Sequence, residues 1–436
     1  MRTHILYLSL LLALCMAVGI GAAEQITLTY VSHTGAGLED PGNQIYRQLF
    51  DEFSAEYPDI KVEMFFGGRP QVQVMMAGGL APDVTFLENW HLPAWQHSGS
   101  ILPLDPFVER DGYPLEEFFP FMIELSRTKS SQTGMDHLYA LPRHPSPLAV
   151  YFNRDMYLNA GMETPDQIAL DSWTFDRMRD DARRLTQDRT GDGVFDQFGL
   201  RAQDFQTVPH TLFPLIRAFG GAVIDDERLV SVLDSAESVE GIQWIADLMW
   251  GVQVAPRPGE NAAFTSGNVG MFMNIFGQTR SVIANAEFDW DLAYLPAGPA
   301  GRFNRSVAGT HVMLSSTNHP DAAWLLLKWL ASDRAQALIA SGGTALPSRI
   351  DTAIRVFDDP GPALEGKNLR VFLDPLTVSG HAEPGLILWE DMQRTVNSAL
   401  QPVWRGEVSA TEAATQASSL LEAILAEERS LRSGTR

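Results

Sequence analysis

The chain is almost free of cysteine: among 436 residues there is one, Cys15. An intrachain disulfide framework and any cysteine-based zinc site are therefore excluded. Positive charge is scarce too, with 32 lysines and arginines against 54 aspartates and glutamates and a formal net charge of −22. A nucleic-acid partner is not expected of such a chain, because phosphate backbones are held by basic surfaces. Missing as well are Gly-x-Ser-x-Gly, a Walker loop, His-Glu-x-x-His and a dinucleotide-binding glycine fingerprint, so no catalytic class has positive support. Carboxylate pairs of the glycosidase kind stay open, since an acidic chain offers many. Past the N-terminus no apolar run reaches membrane length, and the densest, Ala322 to Leu330, carries Lys328.

What is present begins with an export signal. Arg2 supplies a basic start, Ile5 to Ile20 is nearly all apolar, and Gly21-Ala22-Ala23 offers small residues for cleavage before Glu24. The apolar run is shorter than the roughly 20 residues a membrane span needs. Cleavage after Ala23 (residues 1–23 lost) removes Arg2 and no acid, leaving an acidic, cysteine-free chain expected to be monomeric in the periplasm.

Ile26 to Val31 alternates as a strand does, and Ile45, Leu49, Phe53 and Tyr57 recur every four residues up to Pro58, as a helix does. Ile60 to Phe66 and Val84 to Leu87 predict two more strands. Strand, helix, strand at these lengths predicts βαβ units and mostly parallel sheets flanked by helices, an α/β fold. Further along, the pattern predicts strands at Leu148 to Phe152, Asp289 to Tyr294 and Val312 to Ser315, and helices at Trp173 to Leu185 (opened by Ser172), Gly241 to Met249 and from Pro320. Ser409 and Glu412 form a capping box before a helix whose apolar face holds Ala413, Ala417, Leu420, Leu421 and Ile424.

Two features carry candidate chemistry. Between Asp188 and Gly199, the oxygen-bearing Asp188, Thr190, Asp192 and Asp196 around Gly193 match the first part of a calcium loop. The match ends at position twelve, where Gly199 replaces the bidentate glutamate. An Asp/Gly-rich turn is the preferred reading and structural calcium the alternative; no cofactor is required. The second feature is the setting of Trp90, Phe276 and Trp389 among Asn, Gln, Glu and His, which suits a sugar: flat apolar faces for its C–H patches and fixed polar groups for its hydroxyls.

The run Ala81 to Trp90, then Gly99 to Phe107, Tyr139 to Asp155, Ser172 to Asp176, Gly267 to Met273, Leu295 to Pro299 and His319 to Trp324 resembles, in order, the family 1 extracellular solute-binding proteins of the maltose-binding-like group. The resemblance implies a two-lobed periplasmic-binding-protein fold of type II kind: residues 24–148 with 298–345 in the N-lobe, and 149–297 with 346–436 in the C-lobe. It implies capture of a carbohydrate (sugar, oligosaccharide or polyol) by hinge closure and delivery to the membrane permease of an ABC importer. Carried over by position, the ligand site draws on His33, Thr34, Glu88, Asn89, Trp90, His144, Ser146, Phe276, Gln278, Gly309, Thr310, His311, Glu383 and Trp389. Phe276 and His311 stand where sugar-binding relatives frequently carry tryptophan. The acidic composition disfavours a strongly anionic solute, although distant charge is screened. A secreted glycoside-acting enzyme is the alternative function.

Overall fold

In a computed structural model the described residues are 25–32, 37–129, 135–208, 210–260, 262–377, 381–382 and 385–433. The export segment, His33, Thr34 and Glu383 lie outside them. Along the chain, β1 (Ile26–Val31) leads through α1 (Pro41–Glu56) to β2 (Ile60–Phe65), then through α2 (Gly68–Ala77) to β3 (Val84–Glu88). After β4 (Ala140–Pro145) and β5 (Leu148–Asn153) come α3 (Phe175–Leu185), β6 (Phe198–Leu200) and α4 (Ala236–Trp250). Then follow β7 (Val269–Ile275), β8 (Trp290–Ala293), β9 (Arg305–Ser306), β10 (Ala308–Met313) and α5 (Pro320–Leu330), and α6 (Trp389–Trp404) and α7 (Ala410–Ser433) close the chain.

Apart from β9, which pairs with His381 and Ala382, these strands build two separate sheets, and the sheets define two lobes. The first has the order β2-β1-β3-β10-β4 and the second β8-β5-β7-β6. Parallel pairing holds from β2 through β1 to β3 and between β7 and β6. The remaining pairings are antiparallel: β3 with β10, β10 with β4, β5 with β7 and β5 with β8. The expectation of mostly parallel sheets is thereby corrected to mixed ones. The physical reason is that β5 follows β4 after two residues and β10 returns from the other lobe, and a strand re-entering from outside is not bound to the right-handed crossover that makes βαβ strands parallel.

Local chemistry sets the element ends. The Asp40 carboxylate accepts from the N–H groups of Gly42 and Asn43 at 2.7 and 3.3 Å and so opens α1. Helix α3 begins later than Ser172: Thr174 Oγ1 caps it by accepting from Arg177 N at 3.1 Å, while Trp173 is buried with its indole N–H on Tyr294 O at 2.7 Å. Ser409 Oγ accepts from Glu412 N at 3.2 Å at the start of α7. On that helix Ala413, Ala417 and Leu421 are buried, but Leu420 is exposed and Leu425 takes the inward place expected of it.

Each lobe has its own core. Leu28, Tyr30, Phe53, Leu104, Trp324 and Leu327 pack in the first, and Phe152, Tyr157, Met178, Trp244, Trp404 and Leu421 in the second. Two crossing segments are tied together where they pass: Asn304 Oδ1 accepts from Leu148 N and Asn304 Nδ2 donates to Leu148 O, both at 2.9 Å. No helix among the described residues is long and apolar enough to cross a membrane.

Candidate functional site

The C-terminal ends of β3 and β4 lie abreast of the N-terminal end of the antiparallel β10 in the first sheet, so that Glu88 pairs with Gly309 and Gly309 with His144. This row faces the crossing from β4 to β5. A Cβ on Gly309 would lie 2.0 Å from His144 Cε1 and 2.9 Å from Phe86 Cε2, so the bare glycine is what lets the His144 ring lie over the strand. There it stacks on Phe86 with centroids 5.8 Å apart. Its Nδ1 is 2.7 Å from Arg143 Nη1. Since a guanidinium only donates, Nδ1 accepts and the ring hydrogen sits on Nε2.

Just beyond β3, Asn89 Oδ1 accepts from Ala308 N at 3.0 Å and pins the loop to the returning strand. This loop sends Trp90 across to the second lobe, where it is buried with that lobe's core and stacks on Trp389, centroids 5.9 Å apart and planes at 24°. His210 lies edge-on to Trp90 at 6.0 Å. Trp90 Nε1 donates to His91 Nε2 at 3.1 Å. Burial and the neighbouring Arg69 hold the His91 imidazole neutral, its pKa lowered to about 3. Arg69 itself pairs with Glu390, which follows Trp389 at the start of α6.

Trp389 is presented by a loop that α7 secures. The wholly buried Glu428 accepts from Ile387 N and Leu388 N at 3.0 and 2.9 Å and from Arg432 Nε at 2.7 Å. At the crossing itself Arg305 donates from Nε to Ser146 O at 2.7 Å, from Nη2 to Ser146 Oγ at 2.8 Å, and from Nη1 to His210 Nδ1 at 2.6 Å. Burial pulls Arg305 down to about 9 and, with Arg305 beside it, brings His210 to about 3. His210 is open to solvent while Trp90 of the first-lobe loop lies edge-on to it and Arg305 of the crossing bonds it, which places it on the cleft wall. Glu88 shares that position; burial raises its carboxyl above the ordinary value against the pull of Arg69, Arg143 and Arg305.

Of the residues expected from sequence, Glu88, Asn89, Trp90, His144, Ser146, Gly309 and Trp389 come together here. Thr310 and His311 point into the first lobe: Thr310 Oγ1 donates to Leu87 O at 2.8 Å, and His311 Nε2 lies 3.2 and 3.4 Å from the hydroxyls of Tyr30 and Tyr46. Phe276 is buried edge-on to Phe372 at 5.6 Å in a second-lobe cluster, and Gln278 is half-buried beside it. Arg69, Arg143, His210, Arg305 and Glu390 were not singled out from sequence. A basic residue inside an otherwise apolar strand, as in Ala140–Pro145, was the available signal for Arg143. A cavity of about 860 Å³ lies elsewhere, in the second lobe, between Phe175, Trp244 and Gly298. It gathers residues from that lobe alone, whereas the cleft draws buried charge and aromatic rings from both.

The Asp188 loop is exposed and closed on itself: Asp188 accepts from the N–H groups of Gly191 and Gly193 at 2.6 and 2.7 Å, and Asp192 from Val194 N at 2.9 Å. Gly199 lies in β6 against α3, where a Cβ would be 2.1 Å from Ala182 O, so the close helix–strand approach leaves no room for a glutamate. Among the described residues no group of three or more His, Cys, Asp or Glu is gathered for a metal.

Two lobes on mixed sheets, joined by crossing strands and meeting over a cleft, define a solute-binding architecture. The chain belongs to the bacterial extracellular solute-binding protein family, whose model matches residues 36–337. That family is one of exported binding proteins. A curated relative, the maltotriose-binding protein of Pyrococcus abyssi, is 24% identical over 302 residues, covering 66% of this chain and 60% of that protein. A structure of an ABC substrate-binding protein from Listeria monocytogenes in complex with cycloalternan superposes with a TM-score of 0.78 at 17% identity, over 92% of this chain and 99% of that one. UspC of M. tuberculosis superposes with a TM-score of 0.69 at 24% identity, over 91% of this chain and 100% of its own. Both structural likenesses speak for the fold.

Proposed function

We propose that the protein captures a carbohydrate between its lobes and delivers it to the membrane permease of an ABC importer, acting by binding and not by catalysis. The observation that carries this reading is the convergence of Glu88, Trp90 and His144 from the first lobe with His210 and Trp389 from the second, around the strands that join the lobes. A solute touching both walls makes all its contacts only when the lobes meet, so binding and closure are one equilibrium. The sugar-binding relatives support carbohydrate as the class. Trp90 and Trp389 face each other at 5.9 Å, and a sugar that stacks on either ring enters as the lobes part. We further propose export with cleavage after Ala23, a monomeric mature form, and lobe changes near Leu148, near Pro296 to Ala300 and near Ala345. The Asp188 loop serves as a turn.

The test is a melting-temperature screen of the purified mature protein against mono- and oligosaccharides and polyols, with product analysis on the same mixtures. Saturable stabilisation without products is expected; a ligand at about 100 times its dissociation constant adds about 2.7 kcal/mol. Turnover without saturable stabilisation would favour the glycoside-acting enzyme instead.

A further inference from the structure

The cleft has the opposite electrical character to the molecule around it. The whole chain carries −22, yet Glu88 stands within the influence of three guanidiniums, those of Arg69, Arg143 and Arg305. Arg69 is paired with Glu390. The other two are buried, at 4% and 5% exposure, and neither meets a carboxylate within 4 Å among the described residues. Their hydrogen-bond partners are neutral, and the carboxylate whose influence they share, Glu88, is divided among all three guanidiniums at more than ion-pair distance. Arg143 donates to the Tyr46 hydroxyl and to His144 Nδ1, and lies over the Phe86 ring at 5.1 Å. Arg305 donates to the Ser146 carbonyl and hydroxyl and to His210 Nδ1.

Three guanidiniums against the carboxylates of Glu88 and Glu390 leave positive charge in excess, and a buried charge with an incomplete counter-charge is costly even when neutral acceptors take its hydrogen bonds. Each arginine also orients its histidine. With Nδ1 accepting, His144 and His210 carry their hydrogen on Nε2, which makes that nitrogen a donor in both rings. Donors dominate this wall. Screening removes the influence of the acidic outer surface within about 8 Å at physiological salt, whereas these groups act at contact distance.

From this geometry we infer that the solute is an anionic carbohydrate, whose carboxylate or phosphate is received by Arg143 and Arg305 and completes the counter-charge that Glu88 supplies only in part. The inference rests on the carbohydrate reading above and replaces the expectation, drawn from composition, that an anionic solute is disfavoured.

Calorimetric titration of the mature protein with glucose, galactose and mannose, each beside its uronate and its 6-phosphate, and with neutral and uronate disaccharides, tests it. Within a pair the acid should bind about tenfold to 150-fold more tightly, the range for hydrogen bonds to a charged group. Whether the uronate or the phosphate leads identifies the oxyanion. Arg143→Met and Arg305→Met should bring the acid-to-neutral ratio toward one; Arg305→Lys, which keeps the charge and loses the fork, should lower it less. Neutral sugars binding as tightly as their acids would overturn the inference and leave the carbohydrate reading standing. So would a preference for acids that both methionine variants retain, or variants that lower only the melting temperature, which would assign Arg305 to the hinge alone. Binding by no member of the panel would overturn both readings.

Discussion

Trp90 and Trp389 form one contact but belong to different lobes. Trp389 is 1% exposed and also packs against Phe213 of its own lobe, with centroids 6.0 Å apart. Trp389→Ala should therefore cost about 3 to 5 kcal/mol of stability, as core tryptophans do. Trp90 reaches out of its own lobe into the other's core, so Trp90→Ala should cost less stability and more affinity. Paired melts and titrations check this; equal destabilisation by both variants with solute affinity unchanged in Trp90→Ala would contradict it. His91 makes a pH prediction. Its pKa is about 3 in the folded protein against an ordinary 6.5, so between those values the unfolded chain binds the extra proton. Stability then falls with acidification through that window, by about 1.4 kcal/mol per unit at most from this residue, and is level above it. His91→Gln should flatten the slope between pH 6.5 and 4. Asp204, pushed up to about 7 by burial, acts with the opposite sign in both proteins and cancels in the comparison. Residue identities were legible in sequence where one lobe sufficed and illegible where partners decide. Asn89 stood beside Trp90 in a polar, aromatic run, whereas His144 entered only through the family resemblance. The inward turn of His311 depends on Tyr30 and Tyr46, which are more than 260 positions away.

At the scale of elements, α7 acts on the cleft without touching it. Glu428 lies on that helix and holds the two backbone N–H groups just before Trp389. Glu428→Ala leaves those donors buried and unpaired, which should cost about 1 to 3 kcal/mol. It should also weaken solute binding, because the loop presenting Trp389 and Glu390 loosens. Denaturation midpoints and titration together test this, and a loss of stability with affinity intact would restrict Glu428 to packing. For the Asp188 loop the expectation is equal melting of the metal-stripped protein with and without calcium, and no calcium-dependent difference in Asp192→Ala. A calcium-dependent rise in melting temperature that this substitution removes would establish an ion there. Strands were the most readable elements: β1 runs over Ile26–Val31 as its alternation predicts, and β2 and β3 depart by a residue. Strand direction was not readable in the same way. Antiparallel pairing of β10 follows from a return crossing more than 200 residues after β3, and no local pattern records it.

For the whole molecule, the lobes meet through an ion pair at one end of the cleft and an aromatic stack beside it. Arg69 and Glu390 are partly exposed, and salt screens such pairs. Arg69→Ala, or high ionic strength, should shift the ligand-free protein toward a more open form with a larger radius of gyration in solution scattering, and saturating solute should restore the compact one. A radius that is unchanged in Arg69→Ala would mean the pair has no part in setting the balance. The tryptophan stack has a separate consequence. Two indoles at 5.9 Å and 24° are electronically coupled, and the coupling falls steeply as the rings separate. Parting of the lobes therefore alters the ultraviolet circular dichroism and the emission of this pair, so the native chain carries its own optical gauge of lobe position, readable in stopped flow without a dye.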